Sequence, residues 1–114
     1  MDMKIIDWEL ALKVAGNNRE LANDLLALLI KNLPTDILAI QQAHADDKQS
    51  DLLQRVHKLH GGVSYCGLPR LKKLLANLEA DLKKQRIDDV ALLLNQLSSE
   101  SSLLLKVFQT NSEL

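Results

Sequence analysis

Two imidazoles and two adjacent glycines share one stretch of this sequence, Val56-His57-Lys58-Leu59-His60-Gly61-Gly62-Val63-Ser64-Tyr65-Cys66-Gly67. A neutral imidazole presents a nucleophilic nitrogen near pH 7, so a histidine can carry a group covalently or bind a metal. His57 and His60 stand three residues apart, a spacing that puts both on one face of a helix and can share a metal. Leu59 and Val63 keep the helical period across Gly61-Gly62, although each glycine inside a helix costs about 1 kcal/mol relative to alanine. Either the pair ends the helix early, or the helix runs on and something must approach its backbone closely. In the second case Gly61, four residues after His57, lies over it on the same face and leaves the ring open to a bulky partner.

The rest of the chain must supply the helices that hold this stretch. Hydrophobic residues make up 46%, mostly Leu, Ile, Val and Ala, with one Trp, one Tyr and one Phe. Such a composition suits helices, because straight-chain residues lose little rotamer freedom there. Asp7 is placed to cap a first helix through Val14, ended by Ala15-Gly16. Asn17 or Asn18 opens a second, with Leu21, Leu25 and Leu28 on one stripe and Ala22, Leu26 and Leu29 beside it. Pro34 is expected to stop that helix and start another, carrying Ile37, Leu38 and Ile40 as far as the polar Ala45-Asp46-Asp47-Lys48. Ser50 is the expected cap of the helix bearing Leu52, Val56, Leu59 and Val63, which Gly67 ends. Pro69 fits the first turn of the next, with Leu71, Leu74, Leu75, Leu78 and Leu82. The last helix is expected from near Ile87, with Val90, Leu94, Leu97, Ser101, Leu104 and Phe108 in the rhythm of bundle packing. No segment alternates with period two. The expected fold is all-α: an antiparallel up-down four-helix bundle with a short additional N-terminal helix, residues 1–114 forming a single domain.

Charge and hydropathy remove several function classes. Fourteen basic residues against fifteen acidic ones give a net charge of −1, which argues against nucleic acid as a partner. No apolar run approaches the roughly 20 residues that span a bilayer, and Met1-Asp2-Met3-Lys4 does not open a signal peptide. The single cysteine, Cys66, fits a reducing compartment. A soluble, cytoplasmic domain with no direct membrane contact is expected.

The run His57-Lys58-Leu59-His60-Gly61, closed by Gly67, resembles the motif of histidine-containing phosphotransfer (HPt) domains of multistep phosphorelays. Leu68-Pro69-Arg70-Leu71 at the start of the following helix and Leu78-Glu79 within it agree with that family. Asp7-Trp8-Glu9-Leu10-Ala11-Leu12 and Leu33-Pro34 look most like the C-terminal HPt domain of BarA-type hybrid sensor kinases. The resemblance covers nearly the whole chain. It implies that His57 is the phospho-acceptor and that Glu79, from a facing helix, orients its ring. It further implies that receiver domains of a hybrid sensor kinase and of a response regulator are the partners. The chain itself would bind no cofactor, Mg²⁺ sitting on the partner receiver domain. Leu53, Gly61 and Ser64, at −4, +4 and +7 from His57, are then candidates for receiver docking. A module of this kind has no ATP site, is expected to be a monomer, and would belong to a larger histidine kinase. One departure stands out: His60 occupies the place where the family usually has Lys or Arg beside the phosphoryl group. The site is therefore either less electropositive than its relatives or dependent on pH.

Two other readings compete. His57 and His60, completed by Glu79 or Cys66, would form a metal site, although two histidines fall well short of a full ligand set. Alternatively Tyr65, Phe108 and the run Leu103-Leu104-Leu105 would bind another helix, making the domain an adaptor. His44, among polar residues near a helix end, is expected to be solvated.

Overall fold

Asp7 opens the helical part of the chain: its side chain accepts the Leu10 N–H at 3.0 Å and caps α1 (Trp8–Val14). The chain then turns through Gly16 and Asn17, both at positive φ, and Asn18 caps α2 (Arg19–Ala45) in the same way. Three further helices follow, α3 (Gln49–Val63), α4 (Pro69–Lys83) and α5 (Val90–Thr110). The computed structural model describes residues 3–86 and 88–110, so the expected helix start at Ile87 lies outside the described residues. Packing of α2 on α3 and α5, and of α4 on α3 and α5, closes a four-helix ring, with α1 laid against α2. The expected bundle with its short N-terminal helix is the observed fold.

Pro34 does not stop α2. The buried residues Ala22, Leu26, Ile30, Leu33, Ile37, Ile40 and Ala43 form one stripe that passes the proline without a change of register. Pro34 itself is exposed, so the missing N–H and the ring fall on the solvent side, and burial of the flanking stripe offsets a cost of about 3 kcal/mol. Seven core positions outweigh one local breaker. Two helices expected from the sequence are therefore one, of 27 residues, about 40 Å long at 1.5 Å per residue. The stripe also corrects an orientation: Leu21 and Leu28 are exposed, while Ala22 and Leu26 face the core.

Ser50 is likewise not a cap. Asp47, at positive φ, ends α2, and the Lys48 N–H returns to the Ala43 carbonyl at 2.9 Å. α3 begins directly afterwards, which puts Ser50 inside its first turn and leaves Lys48 at the cap position without a side-chain bond. Pro69 occupies the first turn of α4 as expected. The core is built from Leu52, Val56, Leu59 and Val63 of α3, Leu71, Leu75, Leu78 and Leu82 of α4, and Val90, Leu94, Leu97 and Leu104 of α5.

Gly67 joins the N-terminal helix to the bundle. Its φ is +66°, and a Cβ there would stand 2.6 Å from both the Ala11 nitrogen and the Asp7 carbonyl oxygen. Its own carbonyl accepts the Asp7 N–H at 2.9 Å. Gly67→Ala is therefore expected to lose at least about 2 kcal/mol, from left-handed strain plus a backbone clash, and to lower the melting temperature by roughly 10 °C. Circular-dichroism melting checks this; an unchanged transition would mean that α1 docks by other contacts.

Candidate functional site

α3 runs unbroken through Gly61 and Gly62 to Val63. Its core stripe fixes where the neighbouring positions point. His57 follows the buried Val56 and is turned out of the bundle, its side chain 72% exposed, while the His60 side chain is only 25% exposed. On α4, Glu79 follows the buried Leu78 and is itself buried, one of two buried polar residues in the described chain, the other being Ser101.

The three side chains meet. Glu79 Oε2 lies 2.9 Å from His57 Nδ1, and Glu79 Oε1 lies 2.9 Å from His60 Nδ1. Lys83, one turn further along α4, places Nζ 3.0 Å from Glu79 Oε2. Burial raises the Glu79 carboxyl, but the hydrogen bonds from His57, His60 and Lys83, with the charge of Lys83, outweigh it and hold the group at about 2. An ionised carboxylate only accepts, so each histidine must donate from Nδ1. The neutral form of each ring then carries its lone pair on Nε2, on the side away from Glu79. In His57 that nitrogen belongs to a ring mostly in solvent. The arrangement is a fixed, outward-facing nucleophile.

Neither glycine is demanded by the fold. A Cβ at Gly61 would meet nothing within 4 Å, and one at Gly62 would make an ordinary contact with Leu29 Cδ1 at 3.5 Å. Gly62 instead borders an apolar groove of about 380 Å³ lined by Leu25, Leu28, Leu29 and Tyr65. Leu28 and Tyr65 on this groove are 57% and 63% exposed. Ser64 is half-buried, its hydroxyl donating to the His60 carbonyl at 3.0 Å. Leu53 is half-buried against the core.

The structure thus brings His57, His60 and Glu79 into contact, with Gly61 and Leu53 each one helical turn from His57 and Ser64 bonded within its own helix end. Lys83 was missed by sequence reasoning, although its spacing of four from Glu79 is that of a helical ion pair. Among the described residues no group of three or more His, Cys, Asp and Glu could hold a metal. Cys66 is buried, donates toward the Gly62 carbonyl at 3.4 Å, and has its thiol pushed up to about 11 by burial. Of the residues of the adaptor reading, Leu104 is core, Leu105 and Phe108 are half-buried against it, and Tyr65 and Leu103 are exposed. His44, expected in solvent, is half-buried in the last turn of α2 and takes no part in the cluster.

Known proteins resemble this chain in sequence and in fold. The Hpt domain family model matches residues 24–106. The chain is 36% identical over 85 residues to the sensor histidine kinase GacS of Pseudomonas protegens, covering 75% of this chain and 9% of that protein. It is 35% identical over 78 residues to the signal transduction histidine-protein kinase BarA of Escherichia coli K12, covering 68% of this chain and 8% of that protein. The chain therefore spans less than a tenth of the length of these curated relatives. The crystal structure of the HPT domain from a sensor hybrid histidine kinase of Shewanella superposes with a TM-score of 0.77 at 31% identity, covering 96% of this chain and 97% of that one. No helix among the described residues is long and apolar enough to cross a membrane. With an outward imidazole braced on a buried carboxylate, and a family match over most of its length, this chain belongs to the Hpt domain family, the histidine phosphotransfer modules of phosphorelays.

Proposed function

We propose that His57 is the phospho-acceptor, taking the group from a receiver-domain aspartyl phosphate of a hybrid sensor kinase and passing it to a response-regulator aspartate. The reading rests above all on the pairing of an exposed His57 ring with the buried, ionised Glu79. The Nε2 lone pair forms the N–P bond as the P–O bond of the aspartyl phosphate breaks, and that electron pair leaves with the aspartate carboxylate. The ring keeps its proton on Nδ1 and takes up positive charge, which Glu79 compensates at 2.9 Å. Transfer to the second receiver reverses the same step. Phosphoryl transfer runs in line, with charge on the transferring group stabilised from outside, so the Mg²⁺ belongs to the receiver. Bare backbone at Gly61 and the apolar groove beside Gly62 suit a docked receiver. The domain is best understood as a cytoplasmic, monomeric module at the C-terminal end of a larger kinase.

Three measurements test this. Wild-type protein should take acid-labile, alkali-stable label from a phosphorylated receiver domain, and His57→Gln should take none; label surviving on His57→Gln would place the acceptor elsewhere.

Gly61 should show a conflict between stability and transfer. Gly61→Ala should raise unfolding free energy by about 0.5–1 kcal/mol in a urea titration, since the position is helical and open. Gly61→Leu should fold equally well yet slow transfer at least about tenfold, because the side chain occupies the partner's space. Equal rates for Gly61→Leu and wild type would remove the close-approach role.

Glu79 should leave a mark on acid stability. Its carboxyl is lowered from 4.5 to about 2, so its pairing contributes in full above pH 4.5 and is lost as the pH falls toward 2. The stability advantage of wild type over Glu79→Ala should shrink by an amount on the order of 3 kcal/mol across that window. A constant difference would show that Glu79 is not held by these partners.

A further inference from the structure

His60 is more enclosed than His57. Its side chain is 25% exposed against 72% for His57, and its Nδ1 is turned toward Glu79 Oε1 at 2.9 Å. The other carboxylate oxygen, Oε2, already receives both His57 and Lys83. His60 is thus the side-chain donor to Oε1 among the described residues. A carboxylate held by one oxygen can swing about its last torsion, which is broad; held by both, it is fixed in its plane. The permanent cation of the cluster is Lys83, on α4. A recess of about 230 Å³, walled by His60, Ala76, Glu79, Ala80 and Lys83, opens between α3 and α4. The titratable groups facing His60 there are Glu79 and Lys83 from α4 and, across the shared carboxylate, His57 from its own helix.

We propose that His60 is a positioning residue: as an Nδ1–H donor it locks the Glu79 carboxylate, and through it the tautomer and aim of His57, and does not serve as a phosphoryl-binding cation. The proposal rests on the carrier role of His57 and adds to it how the ring is kept in register. It makes the histidine that replaces the family's usual lysine or arginine a structural donor, with the permanent charge moved to the facing helix.

Asparagine and leucine at position 60 separate the two roles. The asparagine amide can donate near the place of Nδ1–H but carries no charge; leucine fills similar space and donates nothing. The test compares wild type, His60→Asn and His60→Leu in two assays. Long-range ¹H–¹⁵N correlation spectra report the His57 tautomer, and label uptake from a phosphorylated receiver domain reports the rate. His60→Leu should let His57 populate its second tautomer and should slow uptake by about tenfold, the scale of losing a ring-orienting partner. His60→Asn should recover most of both. The ratio of wild-type to His60→Asn rates should stay level from roughly pH 8 to pH 6, the range in which an ordinary imidazole gains its charge. A ratio that climbs as the pH falls would overturn the proposal in favour of a cation at His60, as would an unaltered His57 tautomer in His60→Leu. The spectra need no phosphoryl donor. Absence of label on wild type would therefore overturn the carrier reading, while a tautomer lost in His60→Leu and regained in His60→Asn would still support the clamp.

Discussion

A single buried carboxylate organises the working face of this domain. Glu79 is 6% exposed, and a charge so placed is tolerable only when donors surround it. His57 and His60 reach it from α3, Lys83 from its own helix, at 2.9, 2.9 and 3.0 Å. Those bonds tie the facing sides of α3 and α4 at one height, so the register between two leucine-lined helices is set by polar geometry as well as by packing. A sliding of one turn would strand the carboxylate. The same bonds decide the tautomer of His57, and hence which nitrogen faces outward.

The leucine core makes that precision possible. Leu52, Val56, Leu59 and Val63 on α3 pack against Leu71, Leu75, Leu78 and Leu82 on α4, so both carriers of the site are rigid helices. Sites held on packed helices keep their geometry better than sites on loops. α1 is held differently, by Gly67 at one end and by the small residues Ala11, Ala15 and Ala22 along its length. Trp8, half-buried against the main core, adds a large side chain to that contact.

What the sequence made legible follows from the range over which each signal acts. His57 and Gly61 stood out because both the helical period and the cost of glycine are local, and the two were in conflict. Pro34 misled for the same reason. The rule that proline ends a helix is local, whereas the stripe from Ala22 to Ala43 that overrides it is a property of the whole bundle. Ser50 misled because the turn before α3 is shaped by Asp47 at positive φ, which no spacing announces. Glu79 became visible only through family resemblance: 22 residues separate it from His57, and nothing in that interval states which position of α4 will face α3. Lys83 was within reach, four residues after Glu79, but a Glu–Lys spacing on a helix is usually a surface pair and draws no notice.

The bare face beside His57 and the crowded face beneath it are two sides of one constraint. Nδ1 must be held hard, which takes burial, charge and several donors. On the proposed carrier role, Nε2 must be free to meet a reactive phosphorus at near-covalent distance, which takes an absence of side chains. A helix satisfies both, because residues three and four apart share a face. At +3 from His57 the chain places a donor that turns inward to Glu79; at +4 it places a glycine whose missing Cβ would have touched nothing of its own fold. The stability forgone at Gly61 and Gly62 is small, about 1 kcal/mol each, against a core of this size. On the proposed carrier role, it falls where a side chain would block an incoming receiver domain.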